Sequence, residues 1–125
     1  MEIDEFIEEN RIGIFVGADL ERKVFYIRKM DRELESYDLF QQLILYNSTE
    51  NLDGYLSGKL LPQTWGQGNT VCILCKPNEG QIFALFLDTD LGGSEFPQYV
   101  KQLDVQLKEA LQERQRKGET VHGNQ

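Results

Sequence analysis

The chain contains few of the residues from which enzymes and metal sites are usually built. Its 125 residues include one histidine, two cysteines and three prolines. That histidine, His122, lies in a polar stretch near the end of the sequence, whereas a zinc site needs three or four ligands brought together. No phosphate-binding glycine loop and no nucleophile motif is present. We therefore expect no metal, no cofactor and no catalytic activity.

Basic residues are also scarce. The chain has 13 Lys and Arg against 21 Asp and Glu, which gives a net charge of −8. An acidic surface repels the phosphates of nucleic acid and the anionic face of a membrane. We therefore expect no nucleic-acid partner and no electrostatic attachment to a membrane.

Long apolar runs are missing as well. Residues 82–87 form one of the longest, with six residues, whereas a membrane-spanning helix needs about 20. The opening sequence MEIDEFIEEN is acidic and carries no run suited to a signal peptide, and two cysteines are too few for a disulfide framework. These absences predict a cytoplasmic protein with no membrane insertion.

The patterns that are present predict one α+β domain. Residues 2–9 have helical spacing, and residues 11–18 and 23–30 read as two strands joined by a polar turn. Both faces of these strands are apolar, because Ile12, Ile14 and Val16 are expected on one face and Phe15 on the other. Helices are therefore expected to cover both faces of the sheet.

The rest of the chain continues the same alternation of elements. Residues 33–58 have helical spacing interrupted at 47–49, where Ser48 or Thr49 is a candidate helix cap. A predicted edge strand at 60–65 contains Pro62, and strands at 70–76 and 81–88 follow. A closing helix begins after Ser94. The order is αββαβββα, with a domain over residues 1–111 and a polar, disordered tail over residues 112–125.

Two motifs invite a chemical interpretation. Cys72 and Cys75 form a C-x-x-C pair, but residues three apart on a strand point to opposite faces, which favours inert core cysteines over a thiol enzyme. Asp88 and Asp90 share a strand face at i and i+2. We interpret this acidic pair as the exit of a strand before the turn at Gly92 and Gly93, not as an acid–base pair.

Apolar residues exceed what the central helical segment needs for packing. The apolar arc is broad around residues 40–46, where Leu39, Leu43 and Tyr46 extend beyond the stripe formed by Phe40 and Ile44. One flank of this helix is expected to face the sheet. The other flank is available to a second protein.

The element order resembles that of the roadblock/LC7 family, in the longin and profilin-like group. The local likenesses are the I-G-I-F-V-G-A-D strand, the ILCKPNEGQIFALFLD hairpin and the long helix after Gly92 and Gly93. The resemblance implies a five-stranded antiparallel sheet with the central helix on one face and the terminal helices on the other. Members of that family are typically non-catalytic platforms that dimerise through the central helix and an edge strand. Their partners include Ras-like small GTPases and motor or signalling complexes.

Carried onto this chain, the resemblance implies a homodimer that docks or regulates a small GTPase or a signalling complex. The residues expected at the interface are Tyr37, Phe40, Leu43, Ile44, Tyr46, Leu60, Leu61 and Trp65. The alternative hypothesis is a small-molecule sensory module with a profilin- or PAS-like sheet. In that case the ligand would lie beside Trp65, Tyr26 and Tyr55.

Overall fold

A computed structural model describes residues 1–123, with side chains through residue 116. Within these residues, four helices and five strands follow one another in the predicted order. The helices are α1 (Ile3–Glu9), α2 (Tyr37–Phe40, continued by a π-helical segment, Gln41–Leu45), α3 (Thr49–Leu56) and α4 (Glu95–Gly123). The strands are β1 (Ile14–Asp19), β2 (Val24–Lys29), β3 (Gln63–Gln67), β4 (Thr70–Asn78) and β5 (Gln81–Asp88).

The five strands form one open antiparallel sheet in the order β2-β1-β5-β4-β3. The hairpins β1–β2 and β4–β5 meet where β1 pairs with β5. Strands β2 and β3 lie at the two edges. The predicted fold class is therefore confirmed: a single α+β domain with a five-stranded antiparallel sheet and the element order αββαβββα.

The sheet has an apolar core on each face. On the face covered by α2 and α3, strand residues such as Val16 and Phe86 pack with Phe40 and Ile44. On the opposite face, α1 and α4 cover a second cluster that includes Leu85. This arrangement confirms the prediction that helices cover both faces, and it explains why strand β5 is buried on both sides.

Ile12 is an exception to the predicted face assignment. It belongs to the cluster under α1 and α4, with Phe15, and not to the cluster that contains Ile14 and Val16. The regular strand starts only at Ile14. The side-chain alternation of β1 therefore does not reach Ile12, and this expectation was wrong.

The central helix is broken at the predicted position. The side-chain amide of Asn47 donates to the carbonyl of Leu43 at 3.0 Å and so satisfies a group at the end of the first segment. Ser48 then caps α3, because its hydroxyl oxygen accepts a hydrogen bond from the backbone N–H of Asn51 at 3.1 Å. The predicted cap at Ser48 is confirmed.

The third strand begins later than predicted. Pairing with β4 starts at Gln63, opposite Leu74, so Leu60, Leu61 and Pro62 precede the strand. Proline has no N–H to donate to a ladder, which is consistent with pairing that starts immediately after Pro62.

Helix α4 extends past Leu111, where the sequence predicted the end of the domain, to Gly123. Beyond Leu111, the Glu113 carboxylate accepts a hydrogen bond from the amino group of Met1 at 2.6 Å. Gln, Glu, Arg and Lys are good helix formers even without an apolar stripe. The backbone of α4 runs through residues 112–123, residues 124–125 lie outside the described residues, and the disordered tail stays a prediction. No helix within residues 1–123 is long and apolar enough to cross a bilayer.

Candidate protein-interaction surface

Three of the residues predicted at an interface lie in the core. Phe40, Leu43 and Ile44 are buried under the chain's own sheet. The ring of Phe40 packs edge-on against Phe86, with 5.4 Å between the centroids and 89° between the planes. The helix needs these side chains to cover the sheet, so they are not available to a partner, and this part of the interface prediction is corrected.

Three other predicted residues are exposed. Tyr46 is 77% exposed, Leu60 90% and Leu61 43%. Tyr46 follows the π-helical segment, and its backbone N–H donates to the carbonyl of Gln41 at 2.9 Å. Tyr46 lies two residues after Ile44 and six after Phe40, a spacing that puts it off their stripe, so its exposure agrees with the sequence prediction.

Contacts between side chains connect the Tyr46 region to strand β3. The amide of Asn47, the next residue, donates to the hydroxyl of Tyr55 at 3.3 Å. The ring of Tyr55 in turn lies 5.9 Å from that of Trp65 on β3. We call the five residues Tyr46, Tyr55, Leu60, Leu61 and Trp65 the β3 surface. The sequence had assigned Tyr55 to a ligand site. In the structure it is 39% exposed and lies off the buried stripe of Leu52 and Leu56.

Tyr37 is separated from the β3 surface. The ammonium of Lys29 on β2 donates to the Tyr37 hydroxyl at 2.6 Å and lies 5.1 Å from its ring centroid. This contact directs Tyr37 toward the opposite edge of the sheet. The structure therefore does not bring Tyr37 together with Trp65, Leu60 and Leu61.

The small-molecule site proposed from sequence does not form. Tyr26 lies on edge strand β2, opposite Gly17, on the face that carries Phe15 and Phe83. Trp65 lies on the other edge strand and packs with the cluster on the other face. Tyr26 and Trp65 cannot line one cavity, so the arrangement on which the sensory hypothesis depended is contradicted.

The two cysteines lie on opposite faces of the sheet, as predicted. Cys72 belongs to the cluster under α2 and α3, and Cys75 to the cluster under α1 and α4. Burial raises the pKa of both thiols, and for Cys75 the nearby carboxylate of Asp104 adds to the effect. A protonated, buried thiol is a poor nucleophile, so this pair cannot work as a dithiol in this geometry.

Asp88 has a structural role. One of its oxygens accepts from the backbone N–H of Glu35 at 2.8 Å, and the other accepts from the hydroxyl of Thr70. These bonds hold the loop that leads into α2. Among the residues whose side chains are described, no three His, Cys, Asp or Glu side chains gather where they could hold a metal ion.

Comparison with known proteins assigns no family to the chain. No protein-family model matches it, and no curated protein matches it with significance. A function must therefore be argued from the exposed residues and the open edges of the sheet.

Proposed function

We propose that the protein is a non-catalytic, homodimeric scaffold of the roadblock/LC7 type, which acts in the cytoplasm and docks or regulates a Ras-like small GTPase. The observation that supports the dimer is the β3 surface, where large apolar side chains stand exposed beside an open strand edge. The GTPase partner follows from the resemblance in element order and local sequence. The fold is compatible with that resemblance, since α2 and α3 cover one face and α1 and α4 the other.

The exposure of the β3 surface is the first supporting argument. Isolated apolar residues are common on any protein surface, but several large apolar side chains exposed around one sheet edge favour an interface. Tyr46 and Leu60 each leave more than three quarters of their surface in water. Aromatic residues with a polar end are enriched among the residues that dominate binding energy.

The open edge is the second supporting argument. Within residues 1–123, strand β3 pairs with β4 and with no other strand, so its other side offers unpaired backbone groups. A second copy of the chain is able to pair with that edge about a two-fold axis, since antiparallel strands present identical groups to each other. Such a dimer would bring the two β3 surfaces together.

The substitution Tyr46→Asp tests the dimer. A charge in a desolvated contact would weaken association by several kcal/mol. The monomer should lose only about 0.5 kcal/mol, because Tyr46 is mostly exposed. Sedimentation equilibrium measures dimer dissociation, and urea unfolding of the same variant measures stability. Val105→Asp, at an exposed apolar position of α4, is the matched control and should leave the dimer intact.

Several outcomes would contradict the proposal. A wild-type mass near 14.5 kDa at micromolar concentration would remove the dimer. If wild type and Tyr46→Asp have the same dimer dissociation constant, Tyr46 does not lie at the dimer interface. For the partner, titration with purified Ras-like GTPases loaded with GDP or a GTP analogue should give binding that depends on the nucleotide. If none of them binds, the proposal of a small GTPase partner is wrong, and only the proposal of a homodimeric scaffold remains.

A further inference from the structure

The opposite edge of the sheet is also open. Among the strands that the structure describes, β2 pairs only with β1. Its sequence VFYIRK contains β-branched and aromatic residues but no glycine or proline. Val24, Tyr26 and Ile27 are 39%, 57% and 40% exposed. An apolar strand at the edge of a sheet is a template for pairing with another strand. Strand β3, in contrast, has the more polar sequence QTWGQ.

The backbone groups that face outward on β2 can be identified. The N–H of Met30 donates to the carbonyl of Gly13 at 2.9 Å, so the backbone N–H of Met30 faces β1. In an antiparallel pair, the backbone N–H and C=O groups of every second residue face the partner strand, and those of the residues between them face away from it. The N–H and C=O groups of Phe25, Ile27 and Lys29 therefore face the open side.

We propose that β2 pairs in antiparallel fashion with β2 of a second copy of this chain, about a two-fold axis that passes through Ile27. Opposing residues then lie on the same face of a continuous sheet. Tyr26 opposes Arg28 of the other copy, whose guanidinium also pairs with Asp4 of its own chain at 2.6 Å. Phe25 opposes Lys29, whose ammonium contacts Tyr37 of its own chain. An arginine beside an aromatic ring is a favourable cross-strand pair.

The charges on the strand favour this register over its neighbours. A two-fold axis through Tyr26 would place Lys23 opposite Lys29 of the other copy, and an axis through Arg28 would place two guanidinium groups face to face. Like charges directly opposite each other destabilise a pair of strands. With the axis through Ile27, no like charges face each other within the strand, and beyond its ends Lys23 falls opposite Asp31 and Arg22 opposite Arg32. This charge match within the strand indicates a second copy of this chain as the occupant.

This interface is separate from the β3 surface and does not depend on the proposed function. Used alone, the β2 edge gives a dimer with a ten-stranded sheet, since each copy contributes five strands. Used together with a dimer through β3, it would extend the assembly beyond two chains, because each copy would have a self-complementary contact at both edges.

Cross-linking at two positions of equal exposure tests the register. Ile27→Cys places two thiols opposite each other at the axis, so a short bifunctional methanethiosulfonate reagent should link the chains. Val24→Cys is the matched control, since its two copies would lie about 20 Å apart, at about 3.3 Å per residue of offset. The natural cysteines are buried on both faces and should not react. Equal linkage of the two variants, or none with Ile27→Cys, would overturn the proposal.

A second variant tests the association without a reagent. Ile27→Lys puts two ammonium groups opposite each other at the axis and should weaken β2-dependent association at least tenfold in sedimentation. Ile27→Thr should weaken it much less, since threonine suits an edge strand. Linkage through Ile27→Cys should persist in a Tyr46→Asp background, which separates this interface from the one on β3. Loss of linkage in that background, or unchanged sedimentation of Ile27→Lys, would exclude the β2 pairing.

Discussion

Thr70 and Asp88 face each other across β4 and β5, and the buried hydroxyl of Thr70 donates to the carboxylate of Asp88 at 2.5 Å. The same hydroxyl oxygen accepts from the backbone N–H of Ser36 at 2.8 Å. The second carboxylate oxygen accepts from the N–H of Glu35. One threonine and one aspartate thus tie the loop before α2 to the end of the sheet.

We predict that Asp88→Ala destabilises the fold by about 1–2 kcal/mol. The substitution removes two hydrogen bonds to a charged group and leaves the Thr70 hydroxyl without its acceptor, and partial exposure of the carboxylate limits the loss. Urea denaturation measures the change. Asp90→Ala, two residues later at an exposed position, is the control and should stay within about 0.5 kcal/mol of wild type. Equal effects at the two positions would show that the contacts of Asp88 add nothing to stability.

Two exposed glycines should respond oppositely to alanine. Gly54 lies inside α3, where an added Cβ would meet nothing within 4 Å, so Gly54→Ala should stabilise the protein by about 0.5–1 kcal/mol. Gly58 also has open space, but its φ is +70°. Gly58→Ala should therefore cost about 1 kcal/mol, because an L-residue is strained in that region. Thermal unfolding of both variants checks the pair, and a shift in the same direction for both would contradict it.

The buried thiols predict that stability falls at alkaline pH. Burial holds the pKa of Cys72 and of Cys75 above the ordinary value, so both stay protonated in the folded protein while the unfolded chain loses their protons above about pH 8.5. Stability from these groups is full below that pH and declines as the pH rises toward their folded pKa. The decline approaches about 1.4 kcal/mol per pH unit for each thiol.

Urea unfolding between pH 7 and 10 measures this slope. The double variant Cys72→Ala/Cys75→Ala is the control, and it should be less stable at pH 7 but flatter across the alkaline range. Burial also raises the pKa of Tyr99, which adds a decline above about pH 10 in both proteins. Parallel curves for wild type and double variant would show that the thiols are not the cause.

The core pattern of the chain could be predicted because it depends on short-range periodicity. The two-sided apolar strands predicted helices on both faces, and the spacing of Cys72 and Cys75 predicted that they would lie on opposite faces. The prediction failed at Ile12, because the regular strand and its alternation begin only at Ile14. It also failed at Tyr26 and Trp65, because aromatic residues distant in sequence were assumed to meet, whereas the strand order puts them at opposite edges.

The sequence by itself determined the elements, the fold class, the acidic charge and the break before α3, because each depends on composition or on residues within a few positions of one another. Only the tertiary structure decided which apolar side chains stay in water. Leu39, Leu43 and Tyr46 were all expected beyond the stripe of Phe40 and Ile44, yet Leu39 and Leu43 are 6% and 7% exposed and Tyr46 is 77% exposed. The packing of the sheet covers the first two and leaves Tyr46 in water. Pro62 had predicted the edge position of β3. Only the strand order put β2 at the other edge, since hydrogen bonding between distant strands is not encoded in local periodicity.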